Sequence, residues 1–230
     1  MTALRKKRLF KPGMILALLL FFALNCHAGQ VTDPNPLRLQ KMVKRFYWQD
    51  AKNSYPEKSL LFVGSSSIYR WKTARAFPDR PVINRGIPGV EISDINSFYN
   101  ALVGKYHATT VVFYCGDNDV ASGKSADHIL TDFKTFTNRL MAQTTQPTLF
   151  FLAIKPSPRR WQLWTKMAAT NRKIQEYCRE SKRCTFIDSA TVLLNDKSQP
   201  DKNLFSADGL HLNDEGYKIW GKQLKILLSK

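Results

Sequence analysis

Short apolar runs alternate along the chain with stretches in which apolar residues return every three or four positions. The runs are SLLFVG at 59–64, PVINRG at 81–86, TTVVFYCG at 109–116, TLFFLAI at 148–154 and CTFID at 184–188. Continuous runs of this length suit strands covered on both faces, as in a parallel sheet. Between them Ile129, Leu130, Phe133, Phe136, Leu140 and Met141 recur at helical spacing, as do Leu163, Met167, Ile174 and Tyr177. In the final segment, NDEGYKIWGKQLKILLSK, Asn213 is placed to cap a helix, with Asp214 and Glu215 near its positive end and lysines toward its negative end. Tyr217, Trp220, Leu224 and Leu227 form the buried stripe of that helix. The alternation predicts an α/β domain with helices on both faces of a parallel sheet. Ligands of such sheets bind beyond the carboxyl ends of the strands. Three polar, glycine-containing stretches fall at those ends: Gly64 to Ser67, Asn84 to Gly89 and Gly116 to Asp119.

The first 28 residues follow another pattern. A basic stretch, MTALRKKRLFKPG, runs into the apolar MILALLLFFAL and then NCHA. This is the layout of a secretory signal peptide, with cleavage after Ala28 and with Cys26 and Ala28 as the small residues. Residues 29–230 then form a single domain that is periplasmic or secreted. The apolar run of Met14 to Leu24 is short for a bilayer span. The alternative is an uncleaved segment that anchors the protein to the membrane; lipidation at Cys26 is disfavoured because Asn25 stands where a small residue is needed.

Export also bears on charge and cysteines. The full chain carries 35 Lys and Arg against 18 Asp and Glu; the leader holds five of the basic residues and none of the acids, so the mature chain keeps 30 against 18. That excess favours contact with anionic surfaces. The basic residues are scattered, however, and no nucleic-acid motif is present, so a nucleic acid partner is not expected. About 200 residues bury a sufficient core without disulfide staples. Outside the leader stand Cys115, Cys178 and Cys184. Cys178 and Cys184 are close enough in sequence to close a small loop in an oxidising compartment, which leaves Cys115 as a buried thiol in a strand. Metal binding by these three is not expected.

The candidate chemistry lies in the polar strand ends and in SADGLHLND near the C-terminus. A serine hydroxyl needs a base to become a nucleophile, and three histidines follow the leader. His107 precedes a strand and His128 falls in the first turn of a predicted helix, so both read as surface residues. His211 has Asp208 three positions before it in a glycine-containing loop. That spacing lets a carboxylate hold one ring nitrogen while the other faces a serine. Asp117 and Asp119, which flank Asn118, read as loop-stabilising residues.

In chain order the blocks are GSSS, NRGIPG, GDND and DGLH, and together they resemble the SGNH hydrolases, also called the GDSL family of esterases and lipases. The resemblance spans about Leu60 to Trp220. It implies a three-layer α/β/α sandwich with a flavodoxin-like parallel sheet, and ester hydrolysis or acyl transfer without metal or cofactor. Carried onto this sequence, it implies Ser66 as nucleophile, His211 as base and Asp208 as its orienting partner. The oxyanion hole would comprise the N–H groups of Ser66 and Gly89 and the side-chain amide of Asn118. At Ser65 the sequence departs from the family, whose members carry aspartate there. That position is not one of the reacting groups. A helix starting near Ile68 would put Ser66 at a strand-to-helix junction, where free N–H groups favour developing negative charge.

The stretch IKPSPRRWQLW at 154–164 leaves a predicted strand on the side of these motifs. Arg159, Arg160 and Trp161 are candidate contacts for a polar or anionic substrate, the other reading being a surface loop whose tryptophans close the core. Export argues for envelope or extracellular esters of small molecules, glycans or lipids. No long apolar lid region is visible, which tilts the expectation toward acetyl or other short acyl groups. Two alternatives stand beside an esterase: an O-acyltransferase acting on a glycan, and a binding protein that has lost activity on the same fold.

Overall fold

The five apolar runs are five parallel strands: β1 (Leu60–Gly64), β2 (Val82–Gly86), β3 (Thr110–Tyr114), β4 (Thr148–Leu152) and β5 (Cys184–Ile187). A computed structural model describes residues 31–56 and 58–229 of the chain; the predicted signal peptide lies outside the described residues. The strand order is β2-β1-β3-β4-β5. This is the flavodoxin-like arrangement, in which the strand order reverses between β1 and β3.

Successive strand side chains point to opposite faces, and two apolar clusters result. On one face Leu61, Val63, Val111, Phe113, Leu149 and Phe151 meet the helices α1 (Gln40–Asp50), α4 (Ile92–Ser97), α5 (Tyr99–Leu102), α7 (Ala126–Met141) and α8 (Trp164–Arg179). On the other, Leu60, Phe62, Val112, Tyr114, Phe150 and Leu152 meet α2 (Ser66–Arg70), α3 (Thr73–Ala76) and α9 (Asp214–Leu228). The helix α6 (Asp117–Ala121) follows β3. The layers are therefore α/β/α. Central strands covered twice have no solvent face, which is why their sequences lack polar alternation.

Helix ends follow the sequence closely. Asn213 caps α9 by accepting the Gly216 N–H at 3.1 Å. Ser125 does the same for α7, accepting from His128 N–H at 3.1 Å. Two bonds fix α9 where its preceding loop can serve the strand ends: the Tyr217 hydroxyl donates to Ser67 O at 2.8 Å, and Trp220 Nε1 donates to Ser189 O at 2.7 Å. Cys178 and Cys184 are joined in a disulfide that ties the end of α8 to the start of β5, and Cys115 is a buried free thiol.

Candidate active site

The three serines after β1 have different surroundings. Ser65 is extended, its N–H donates to Tyr114 O at 3.0 Å, and its carbonyl accepts the N–H groups of Ile68 and Tyr69, both at 3.0 Å. Helical bonding thus begins two residues earlier than spacing predicts, and Ser66 is the first residue of α2. Ser65 and Ser67 are fully buried, and neither hydroxyl has a hydrogen-bond partner among the described residues. Only Ser66 directs its hydroxyl to a base. The turn depends on Gly64, where a Cβ would lie 1.9 Å from the Tyr114 carbonyl oxygen. A side chain there would force β1 and β3 apart at the point that aims Ser66.

His211 approaches from the loop between β5 and α9. That loop is closed on itself by Ser206 N–H to His211 O at 2.8 Å and Gly209 N–H to Ser206 O at 2.9 Å. Asp208 Oδ1 accepts the N–H groups of Leu210 and His211 at 2.9 and 3.0 Å. Its Oδ2 lies 2.6 Å from His211 Nδ1, and His211 Nε2 lies 2.9 Å from Ser66 Oγ. An ionised carboxylate only accepts, so Nδ1 carries the proton and Nε2 is free to accept from the serine. Burial alone would raise the Asp208 pKa, but the backbone and side-chain N–H groups of His211 hold it well below the usual carboxylate range.

The remaining predicted residues sit on neighbouring strand ends. Gly89 follows β2 in a left-handed conformation with φ +74°, and its N–H has no protein acceptor among the described residues. Asn118 is in the first turn of α6, after β3. Its Nδ2 donates to Val90 O at 2.9 Å, which uses one of two amide hydrogens. Arg160 does not stand free as a substrate contact would. Both terminal guanidinium nitrogens donate to Asn118 Oδ1 at 3.2 Å, and Nη1 also donates to Asp117 O at 2.9 Å. Arg159 is exposed, while its N–H donates to Gly209 O at 2.9 Å. Trp161 stacks on Trp164 with ring centres 6.2 Å apart. The 154–164 loop therefore does border the loop that carries Asp208 and His211.

With this geometry in place, residues 63–219 match the GDSL-like lipase/acylhydrolase family, more than half of the chain. The chain belongs to that family. It is an ester-hydrolysing enzyme. Similar solved structures include a putative platelet activating factor from Streptococcus pneumonia, at TM-score 0.74 and 22% identity over 84% of this chain and 94% of that one. A GDSL-like lipase from Bacteroides thetaiotaomicron gives 0.70 and 21%, over 81% and 97%. An acetylxylan esterase from Geobacillus stearothermophilus gives 0.61 and 14%, over 74% and 94%. No curated protein matches the chain by sequence.

The hydrolase also holds charged groups that the sequence did not single out. Lys124 is buried, and its ammonium meets Asp33 at 2.5 Å, Glu91 and Asp132 at 3.0 Å and Asp119 at 3.7 Å. Asp33, His128 and Asp132 have the donor types of a metal site, but an ammonium already pairs with both carboxylates. Burial pushes the Asp119 carboxyl up to about 7, against the opposing pull of the Ile92 N–H and Lys124. The aspartates of GDND are thus scaffold groups, as the loop-stabilising reading has it: Asp119 holds the start of α4 through Ile92 N–H at 3.0 Å, and Asp117 sits between Lys155 and Arg160. On the opposite side, Arg70 lies 3.6 Å from Asp208 and lines a cleft of about 570 Å³ between α2, α3 and α9. Trp71, Ala76 and Ile226 supply its apolar surface, and Arg75, Lys222 and Lys225 ring it without an ion-pair partner among the described residues.

Proposed function

We propose that the protein is an exported serine esterase that removes acetyl or other short acyl groups from a polar, anionic alcohol. The observation that carries this reading is the continuous chain from Asp208 through His211 to Ser66 Oγ, at 2.6 and 2.9 Å. In the acetylxylan esterase neighbour, catalytic mutants have been made at a serine, an aspartate and a histidine, the aspartate three positions before the histidine. Asp208 and His211 have that spacing.

Ser66 Oγ bonds to the ester carbonyl carbon as its proton passes to His211 Nε2. The carbonyl oxygen becomes an oxyanion that accepts from the N–H groups of Ser66 and Gly89 and from the unused Asn118 amide hydrogen. The C–O bond to the alcohol then breaks, and His211 returns the proton to the leaving oxygen. Water attacks the acyl-serine and gives its proton to Nε2, and that proton goes back to Ser66 as the acid departs. Asp208 keeps the imidazole in the required tautomer and stabilises its cation throughout.

The leader layout supports export, with residues 29–230 as the mature domain. The basic cleft beside Arg70 supports an anionic alcohol portion, since Arg75, Lys222 and Lys225, none of them ion-paired among the described residues, attract a carboxylate or phosphate. A panel of esters tests this. Relative kcat/KM should fall at least about tenfold from p-nitrophenyl acetate to p-nitrophenyl laurate. Acetylated oligosaccharides bearing carboxylates should be preferred over neutral ones, and Lys222→Glu with Arg75→Glu should abolish that preference while leaving p-nitrophenyl acetate unaffected. Equal rates on charged and neutral acetyl esters would remove the anionic substrate. A binding protein that has lost activity would cleave none of the panel.

A further inference from the structure

The 154–164 segment has two readings from sequence, a substrate contact or a surface loop, and in the structure its Arg160 side chain turns to Asn118 and Asp117. Arg160 has only N–H donors, and Val90 O only accepts. The Asn118 amide lies between them, so a single orientation satisfies both: Oδ1 toward the guanidinium at 3.2 Å from each nitrogen, Nδ2 toward Val90 O at 2.9 Å. The reverse orientation would set N–H against N–H and oxygen against oxygen. The second amide hydrogen is therefore fixed in direction before any substrate arrives.

Arg160 is itself held. Its guanidinium donates to Asp117 O at 2.9 Å and lies 3.4 Å from Asp117 Oδ2, and Asp117 in turn pairs with the buried ammonium of Lys155 at 3.6 Å. Ser157 Oγ accepts the Arg160 backbone N–H at 3.3 Å. One residue earlier, Arg159 N–H binds Gly209 O, beside Asp208. Pro156 and Pro158 restrict the backbone around these contacts. A single proline-stiffened segment thus touches both the loop of the base and the Asn118 side chain.

We infer that Arg160 is a positioning residue that orients and polarises the Asn118 amide as an oxyanion donor. A cation on Oδ1 draws electron density from the amide and strengthens its remaining N–H, as linked hydrogen bonds do in a low-dielectric site. Asp117, placed between Lys155 and Arg160, holds the guanidinium against the amide. Lysine can supply only part of this function, because a single ammonium keeps the charge but lacks the two-pronged grip on Oδ1. The inference rests on the reading of Asn118 as an oxyanion donor.

Steady-state kinetics on p-nitrophenyl acetate with Arg160→Ala, Arg160→Lys, Asn118→Ala and the double variant Asn118→Ala/Arg160→Ala test it. Arg160→Ala should lower kcat roughly 10- to 100-fold with KM changed less than about threefold, and Arg160→Lys should recover only part of the loss. In the Asn118→Ala background the Arg160→Ala change should cost less than about twofold, because its effect passes through the amide. A merely structural role would make Arg160→Ala cost as much in the Asn118→Ala background as in the parent. Additive losses, or full activity in Arg160→Ala, would overturn the inference. Should Arg160→Ala not fold, Arg160→Lys retains the cation and carries the same cycle. Unchanged kcat in Asn118→Ala would instead overturn the reading of Asn118, a result distinguishable from failure at Arg160 alone.

Discussion

Asp208→Asn should lower kcat about 10,000-fold while KM changes little. An asparagine keeps the shape of the loop, because its carbonyl oxygen can still accept the N–H groups of Leu210 and His211 that now bond to Asp208 Oδ1. Its amide nitrogen would face His211 Nδ1 and donate to it. The imidazole proton would then move to Nε2, 2.9 Å from Ser66 Oγ, where an unprotonated nitrogen is required. The nucleophile would lose its base with no change in structure. A loss smaller than about tenfold would mean that His211 does not depend on Asp208 for its tautomer. The same substitution has a stability signature. The Asp208 carboxyl is held below its ordinary value of 3.8 in the folded state, so its contribution is present above that pH and is lost as pH falls through the folded value. In urea titrations the variant should be less stable than the parent at pH 7, with the gap closing below pH 3.8.

Asn118→Ala should cost 100- to 1000-fold in kcat, roughly the loss for one oxyanion donor. Substrate affinity should hardly move, because the donor meets full negative charge only in the transition state. The protein should remain folded: the Asn118 side chain donates to Val90 O and accepts from Arg160, whose guanidinium keeps its bond to Asp117 O, and α6 is also held by the Val120 N–H to Gly116 O bond at 3.0 Å. A rise in KM with kcat unchanged would make Asn118 a ground-state contact instead.

The strands were legible because a buried parallel sheet writes itself as uninterrupted apolar runs, and each run shortened by only one to three residues. The α9 cap was legible for a similar reason, since Asn213 acts within its own turn. Asp208 and His211 share one loop, so their spacing carried the signal. What the sequence hid is long-range. Ser66 as the first helical residue depends on the Tyr114 carbonyl across the sheet. Arg160 reads as a solvent-facing charge until folding brings it to Asn118, 42 positions away. Lys124 likewise gathers Asp33, Glu91 and Asp132 from three separate segments. Charge partners of this kind leave no local pattern, and polar residues near a strand end look alike whether they face substrate or brace a neighbour.

The central claim is that Ser66 is a nucleophile activated by His211. Treatment of the mature protein with a fluorophosphonate, followed by peptide mass spectrometry, tests it most directly. The predicted result is one adduct on Ser66, with none on Ser65 or Ser67, and its loss in His211→Ala. Labelling of another residue, or equal labelling of Ser66 without His211, would contradict it.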